Sequence, residues 1–370
     1  MQKIKGKYAS ATIFTDNIEE YAFAQIKMIC DNEVASGSKI RIMPDVHPGK
    51  VGPVGLTMTV KDRVMPALVG EDIGCGISYI KFKAGKVEFQ KLDRVIRENI
   101  PTGFDIRKEP HHSSRDFDVQ DLICAKYINH EKALLALGTL GGGNHFIELD
   151  TDDEEYMYAF VHSGSRRLGK EVFEAYMKKG QKQLKAKGIE VPYEHTYLEG
   201  KLLEDYIHDV LITQGYAMLN REIILTELAR GMKWKPISYG ESIHNYIDDK
   251  LILRKGAVDA YSGDGVIIPN NAKDGIIIGE GKGNDDWNFS APHGSGRIGN
   301  RKTIVSEHTV REYRKCMEGV YSSTVSKETL DESPFAYRGI NEILENIKDT
   351  VEVKKMLRPV YNYKAGSKEK

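Results

Sequence analysis

Four histidines, one aspartate and one cysteine stand where a chain can gather metal-binding atoms at one point. Asp72 and Cys75 lie in Gly70-Glu71-Asp72-Ile73-Gly74-Cys75-Gly76. A carboxylate and a thiol three residues apart, flanked by glycines, can reach one ion, and a thiolate can bridge two. Taken alone, the segment reads more readily as a turn with a buried structural cysteine. In Gly138-Thr139-Leu140-Gly141-Gly142-Gly143-Asn144-His145-Phe146-Ile147-Glu148, three consecutive glycines lead into an Asn-His pair. Such a loop can turn backbone N–H groups toward a phosphate while His145 binds a metal. It matches neither the dinucleotide GxGxxG pattern nor the GxxxxGK[ST] loop. Val161-His162-Ser163-Gly164-Ser165-Arg166-Arg167 adds a second histidine and two arginines. The arginines either grip phosphate oxygens or form a solvated pair opening a helix. Ser242-Ile243-His244-Asn245-Tyr246 holds a third site histidine, and Ala291-Pro292-His293-Gly294-Ser295-Gly296-Arg297 the fourth. A neutral imidazole flanked by glycines can attack phosphorus if its other nitrogen is held by an acceptor. Together these residues supply ligands for two metal ions and one spare histidine. Nitrogen and sulfur donors suit zinc, manganese, cobalt or iron better than magnesium or calcium.

Elements must position these groups. The chain has 370 residues, with 53 Lys+Arg against 54 Asp+Glu, 40% hydrophobic and 29% charged residues. That balance fits a globular protein. Near-zero net charge excludes a polycation that binds nucleic acid through bulk charge, while leaving room for a local basic groove. No apolar run approaches the ~18 residues a membrane span needs, and residues 1–15 contain no apolar signal core. Four scattered cysteines (Cys30, Cys75, Cys124, Cys316) do not make a disulfide framework, so a reducing cytoplasm is expected. There is no internal repeat, low complexity is confined to the tail 365–370, and no linker divides the chain. One α+β domain over 1–370 is expected. Short apolar runs at 56–60, 64–69, 77–82, 156–161, 251–254, 266–269 and 275–278 read as strands. Helical spacing marks 89–100, 122–137 and, at greatest length, 198–230. The last would be about 45 Å long at ~1.5 Å per residue and reads as scaffold without chemistry. Many of the 35 glycines gather in five clusters, each near a metal-binding or charged side chain, which points to loops converging on one site.

These segments, with Pro44-Asp45-Val46-His47-Pro48-Gly49-Lys50 and Arg254-Lys255-Gly256-Ala257, run in one order from about residue 40 to Lys364. In that order they resemble the RtcB-type RNA-splicing ligases. The resemblance implies a single domain of the family's own α+β fold, sheets with surrounding helices about a central two-metal cleft. It implies a cytoplasmic ligase, dependent on two manganese ions (Mn2+) and on GTP as co-substrate. Such a ligase joins RNA ending in a 3′-phosphate or 2′,3′-cyclic phosphate to RNA with a 5′-hydroxyl, in RNA repair or tRNA splicing. By resemblance, His293 becomes guanylylated. Asp72, Cys75 and His145 hold one manganese, and Cys75, His162 and His244 the other. Asn144, His145, Phe146, Ile147 and Glu148 match guanylate contacts, as do His244, Asn245, Pro269, Asn270, Asn271, Ala272, Gly294, Ser295 and Gly296. Lys364 matches a lysine that contacts the guanine nucleotide. RNA partners follow from the resemblance, and an activating protein partner is compatible with it.

The chain departs from the family pattern in two places. Pro269-Asn270-Asn271-Ala272-Lys273-Asp274-Gly275 replaces a Pro-Gly-Ser-Met loop, and Glu71 stands where an apolar residue is common. The sequence reads as a divergent, shorter branch. A metal-dependent cyclic-phosphate hydrolase would use the same metal ligands without needing His293 and Lys364, and a non-catalytic RNA-binding paralogue would need none of the six motif residues. The basic residues Arg297, Arg301, Lys302, Arg311, Arg314 and Lys315 either follow an RNA backbone or form a solvated helix face.

Overall fold

Period-two alternation builds the larger of two sheets in the computed structural model, which describes residues 1–299 and 301–365. The tail segment 366–370 lies outside the described residues. Seven antiparallel strands run in the order β10 (Pro236–Ile243), β6 (Gly76–Lys83), β8 (Tyr156–Ser163), β7 (Phe146–Thr151), β17 (Val351–Lys364), β15 (Ile276–Gly281) and β14 (Gly265–Pro269). The end strands β10 and β14 lie against each other, so the sheet curls into a near-barrel. Ile77, Phe146, Tyr158, Phe160, Ile267, Ile276 and Leu357 pack on its inner face. Alternate residues Ile147, Leu149, Met157, Ala159 and Val161 pack outward against α2 (Phe89–Asn99) and α5 (Lys201–Met232). Each such fully buried aliphatic side chain contributes roughly 1.5–3 kcal/mol.

The register across this sheet places the site. Ile77, His162, Phe146 and Lys364 stand in one row across β6, β8, β7 and β17. The next row is Tyr79, Phe160, Glu148 and Asn362, and the one beyond it Lys81, Tyr158, Asp150 and Pro359. Opposed residues share a face, so one mouth of the barrel carries an imidazole, a ring and an ammonium side by side.

The second sheet has six strands in the order β1 (Gln2–Lys5), β2 (Ser10–Ile13), β3 (Ile40–His47), β4 (Val54–Thr59), β12 (Ile252–Lys255) and β11 (Asn245–Ile247). Only β2 and β3 pair in parallel, and α1 (Glu20–Cys30) crosses over between them. Its core joins α1, α4 (Arg166–Ala186) and α5. Two short pairs, β5 (Arg63–Val64) with β9 (Leu198–Glu199) and β13 (Ala257–Asp259) with β16 (Ser290–Pro292), brace the seam. The remaining helices are α3 (His130–Ala136), α6 (Arg301–Glu307), α7 (Val310–Cys316) and α8 (Ile340–Asn346). Among the described residues no helix is long and apolar enough to cross a membrane.

Three sequence expectations are corrected. The run 64–69 is strand only at Val64. Pro66 offers no N–H to a ladder, and Pro66–Leu68 turns as a 3-10 helix. The 122–137 segment is not one helix, since the Asn129 side chain accepts the Lys132 N–H and starts α3 there. The long helix begins at Lys201 rather than 198, because Gly200 takes φ 58° and Leu198–Glu199 pairs with β5. Its 32 residues span about 48 Å.

Candidate active site

Two groups of donor atoms share one thiol. Asp72, Cys75 and His145 form the first, and Cys75, His162 and His244 the second, with the donor atoms of each group within 4.8 Å of one another. Sγ of Cys75 lies 3.5 Å from Nε2 of His145 and 3.3 Å from Nε2 of His162. Nε2 of His162 is 3.3 Å from Nε2 of His244, and Nε2 of His145 is 3.1 Å from Oδ2 of Asp72. The outward nitrogens are held by carbonyls: Nδ1–H of His145 donates to Leu140 O at 2.8 Å, and Nδ1–H of His162 to Asn144 O at 3.1 Å. These bonds assign the tautomer and aim each Nε2 lone pair at the cluster. A neutral His145 therefore turns an acceptor toward the Asp72 carboxylate, an arrangement that a shared cation reconciles.

Protonation states agree with that fit. Burial and the neighbouring His293 and His145 hold His162 and His244 well below the ordinary imidazole value, so both stay neutral donors. Burial opposes ionisation of Asp72, and without an ion it is a hydrogen bond from a protonated His145 that brings the carboxyl below its usual range; with His145 neutral, a bound cation takes over that part. Burial and the Asp72 charge push the Cys75 thiol up; a bound cation inverts that logic and deprotonates the thiol. The oxygen, nitrogen and sulfur donors suit a borderline-soft divalent ion. Gly164 makes room for Asp72: a Cβ there would fall 2.0 Å from its Oδ1.

His293 approaches from the other sheet. Its Nδ1 lies 2.6 Å from Oδ2 of Asp45, a fully buried residue of β3. With Nδ1–H donated to Asp45, the lone pair belongs to Nε2. The ring centroid is 4.9 Å from that of His244, so this imidazole adjoins the second donor group. The fully buried Arg254 holds β16 in place, giving Nε to Ser290 Oγ at 2.9 Å and NH1 to Asp248 at 2.6 Å. Gly256, at φ +62°, lies under the ring: a Cβ there would meet Val54 at 2.1 Å and Cε1 of His293 at 3.2 Å. His47 flanks the same edge, and burial holds it at about 4 and therefore neutral.

One cavity opens on His162, His244 and His293 and runs to Glu148, Asn362 and Lys364. Nδ2 of Asn362 donates to Glu148 at 2.5 Å. At its far wall four groups converge on buried Glu332: Lys364 Nζ at 3.1 Å, Arg297 at 3.0 Å, Arg301 at 2.6 Å and the Tyr337 hydroxyl. Burial opposes it, but Lys364, Arg301 and Arg297 bring Glu332 down to about 2. Three cations on one carboxylate leave this wall positive, which suits an anionic ligand.

Helix α5 is more than scaffold. Oδ1 of Asn220 accepts the N–H groups of Gly138 and Thr139 at 2.8 and 3.0 Å, and its Nδ2 reaches Thr139 O, Ser163 Oγ and Gly164 O. Arg221 donates to Gly74 O at 2.8 Å and Ser163 O at 2.9 Å. Two adjacent buried side chains thus pin the loops that carry Cys75, His145 and His162.

A family model described as tRNA-splicing ligase RtcB matches residues 32–124 and 116–365. The chain belongs to the RtcB family. It is similar to RNA-splicing ligase RtcB of Escherichia coli K12, with 27% identity covering 87% of this chain and 88% of that protein. RNA-splicing ligase RtcB2 of another Escherichia coli strain is 26% identical over 92% of each chain. The tRNA-splicing ligase RtcB of Nanoarchaeum equitans is 24% identical over 82% of this chain and 83% of its own.

Most residues that the RtcB resemblance points to meet here. Asn144, Phe146, Glu148, Pro269, Asn270, Asn271, Ala272, Gly294, Ser295 and Gly296 line the cavity with the residues above. Ile147 turns its side chain to the outer core with Leu149. Asn245 ties loops together, with Nδ2 on Asp72 O at 3.4 Å and Oδ1 accepting the Gly256 N–H at 3.0 Å. Arg166 lies at the glycine loop, donating to Gly103 O at 2.9 Å, whereas Arg167 pairs with Glu171 along α4. Glu71 pairs with Lys50 at 2.9 Å rather than joining the donor cluster. Arg297 is drawn in to Glu332, Arg301 reaches Glu332 while staying exposed, and Lys302, Arg311, Arg314 and Lys315 are exposed. Sequence reading assigned no role to Asp45, Glu332, Tyr337, Asn220 or Arg221. Asp45 was within reach, since its motif was recognised and an acceptor for His293 was required.

Proposed function

We propose that this chain is a GTP-dependent RNA ligase that joins a 3′-phosphate or 2′,3′-cyclic phosphate end to a 5′-hydroxyl end, in RNA repair or tRNA splicing. The observation that carries the reading is the Asp45–His293 pair, 2.6 Å apart, set beside a shared-thiol donor cluster whose His162 and His244 line one cavity with His293. RtcB family membership supports the substrate class. Two manganese ions, one held by Asp72, Cys75 and His145 and the other by Cys75, His162 and His244, would supply Lewis-acid polarisation of phosphoryl oxygens.

The protein groups do the rest. Nε2 of His293 attacks the α-phosphorus of GTP; the P–N bond forms as the bond to pyrophosphate breaks. Asp45 keeps its hydrogen bond to Nδ1–H and stabilises the imidazolium that develops. The RNA 3′-phosphate then attacks the same phosphorus, the P–N bond breaks, and the end becomes RNA-ppG. Attack by the 5′-hydroxyl closes the phosphodiester and expels GMP; a cyclic end is first opened by water. Glu148 and Asn362 face the nucleotide base, and Lys364, Arg297 and Arg301 balance phosphate charge.

The test is incubation of the full chain with manganese and α-labelled GTP, a denaturing gel and mapping of the labelled peptide. Label on His293, absent from His293→Ala while metal content is unchanged, is the expected result. Label that persists in His293→Ala, or wild type that acquires none, overturns the reading.

A further inference from the structure

Deeper in the barrel lies a buried acid without a well-formed hydrogen bond among the described residues. Asp150 is fully buried on β7, and neither carboxyl oxygen makes a hydrogen bond of good geometry, its nearest polar neighbours being the Glu148 carboxyl and the Ile276 backbone. A buried carboxyl without a donor is costly and calls for an explanation. Asp150 sits two residues from Glu148 on the same strand face, one row below the cavity. Its cross-strand neighbours are Tyr158 and Pro359, and a proline has no N–H to offer.

Few charges face the pair. From β17, Lys364 acts on Glu148 and Arg358 on Asp150; from β8 comes the Tyr158 phenol, and from β15 the Ile276 backbone. Lys364 is committed to Glu332 at 3.1 Å and Arg358 to Asp153 at 3.1 Å. Neither neutralises two carboxylates in a dry compartment, where adjacent acids share a proton. Burial raises Glu148 to about 7, and burial with the Glu148 charge raises Asp150 further above its ordinary range.

We propose that Asp150 is a positioning residue for the nucleotide pocket: as a neutral acid it donates its O–H to Glu148 and, with Asn362, fixes the carboxylate that receives the N–H groups of the ligand. The ligand half of this inference rests on the function proposed above. The shared proton is a property of the protein alone.

Three full-length proteins test it: wild type, Asp150→Asn and Asp150→Leu. The infrared difference between nucleotide-free wild type and Asp150→Asn at neutral pH is expected to contain the C=O stretch of a neutral carboxylic acid; its absence overturns the inference. In adduct formation, Asp150→Asn keeps an N–H in place of the O–H and holds KM for GTP within about threefold. Asp150→Leu raises it about tenfold with a smaller effect on kcat, the scale of one charge-assisted hydrogen bond. Affinity of the wild type falls as rising pH removes the shared proton, and that fall is absent from Asp150→Asn. Asp150→Asn as impaired as Asp150→Leu, or with an unchanged alkaline fall, overturns the inference even if Asp150→Leu does not fold. A wild type that forms no adduct counts against the ligase reading, and the infrared band still decides on Asp150.

Discussion

His293 is a competent nucleophile only as a neutral ring whose far nitrogen is occupied, and Asp45 occupies it. Asp45→Asn keeps the shape but loses the charge that fixes the tautomer. Adduct formation is expected to slow by about two orders of magnitude or more, with GTP binding retained; comparing single-turnover labelling with equilibrium binding checks this. Cys75 belongs to both donor groups, so Cys75→Ser lowers occupancy of both ions, and elemental analysis that still finds two ions per chain contradicts the shared thiol. Glu332 makes a pH prediction. Its folded value of about 2 lies below the ordinary 4.5, so its stabilisation is present above pH 4.5 and fades as pH falls toward 2. The gap corresponds to roughly 3 kcal/mol. Denaturation curves of wild type and Glu332→Gln are expected to differ most at pH 5 and above and to converge in acid.

At the scale of elements, the metal ligands depend on a helix that contributes none of them. Asn220→Ala leaves buried N–H and C=O groups of the 138–139 and 163–164 loops without partners. It is expected to cost about 2–4 kcal/mol in urea denaturation and to weaken metal binding measured by titration. This dependence also marks where the sequence stopped being legible. Asp72, Cys75, His145, His162, His244 and His293 were readable because each stands beside glycine or at a strand end. The strands 77–82 and 156–161 were readable from short apolar runs bounded by turns. Asn220 and Arg221 were not, since two polar residues within a long helix look like its solvated side until the packing is known. Pro66 and Asn129 broke apolar runs by local chemistry that periodicity does not weigh. Glu332 lies 32 residues before its partner Lys364, and nothing local in either segment announces the pairing.

For the molecule as a whole, the site is a seam. His244 stands between β10 of the barrel and β11 of the second sheet, and Asp45 belongs to the second sheet alone. Any ion held by Cys75, His162 and His244 ties the two sheets together. Chelation is therefore expected to lower the melting temperature by a few degrees, in line with ~2–3 kcal/mol of linkage at about a hundredfold excess over Kd, and calorimetry with manganese or EDTA measures it.

The place of β17 has a consequence for how the protein is made. This strand lies between β7 and β15, yet among the described residues it comes last in chain order. During synthesis all five candidate metal ligands leave the ribosome well before Lys364 does. Until residues 351–364 follow, β7 and β15 remain open edges that invite wrong pairing. The strand that closes the barrel also delivers Asn362 and Lys364 to the cavity. A nascent chain therefore cannot complete this cavity before its sheet is sealed.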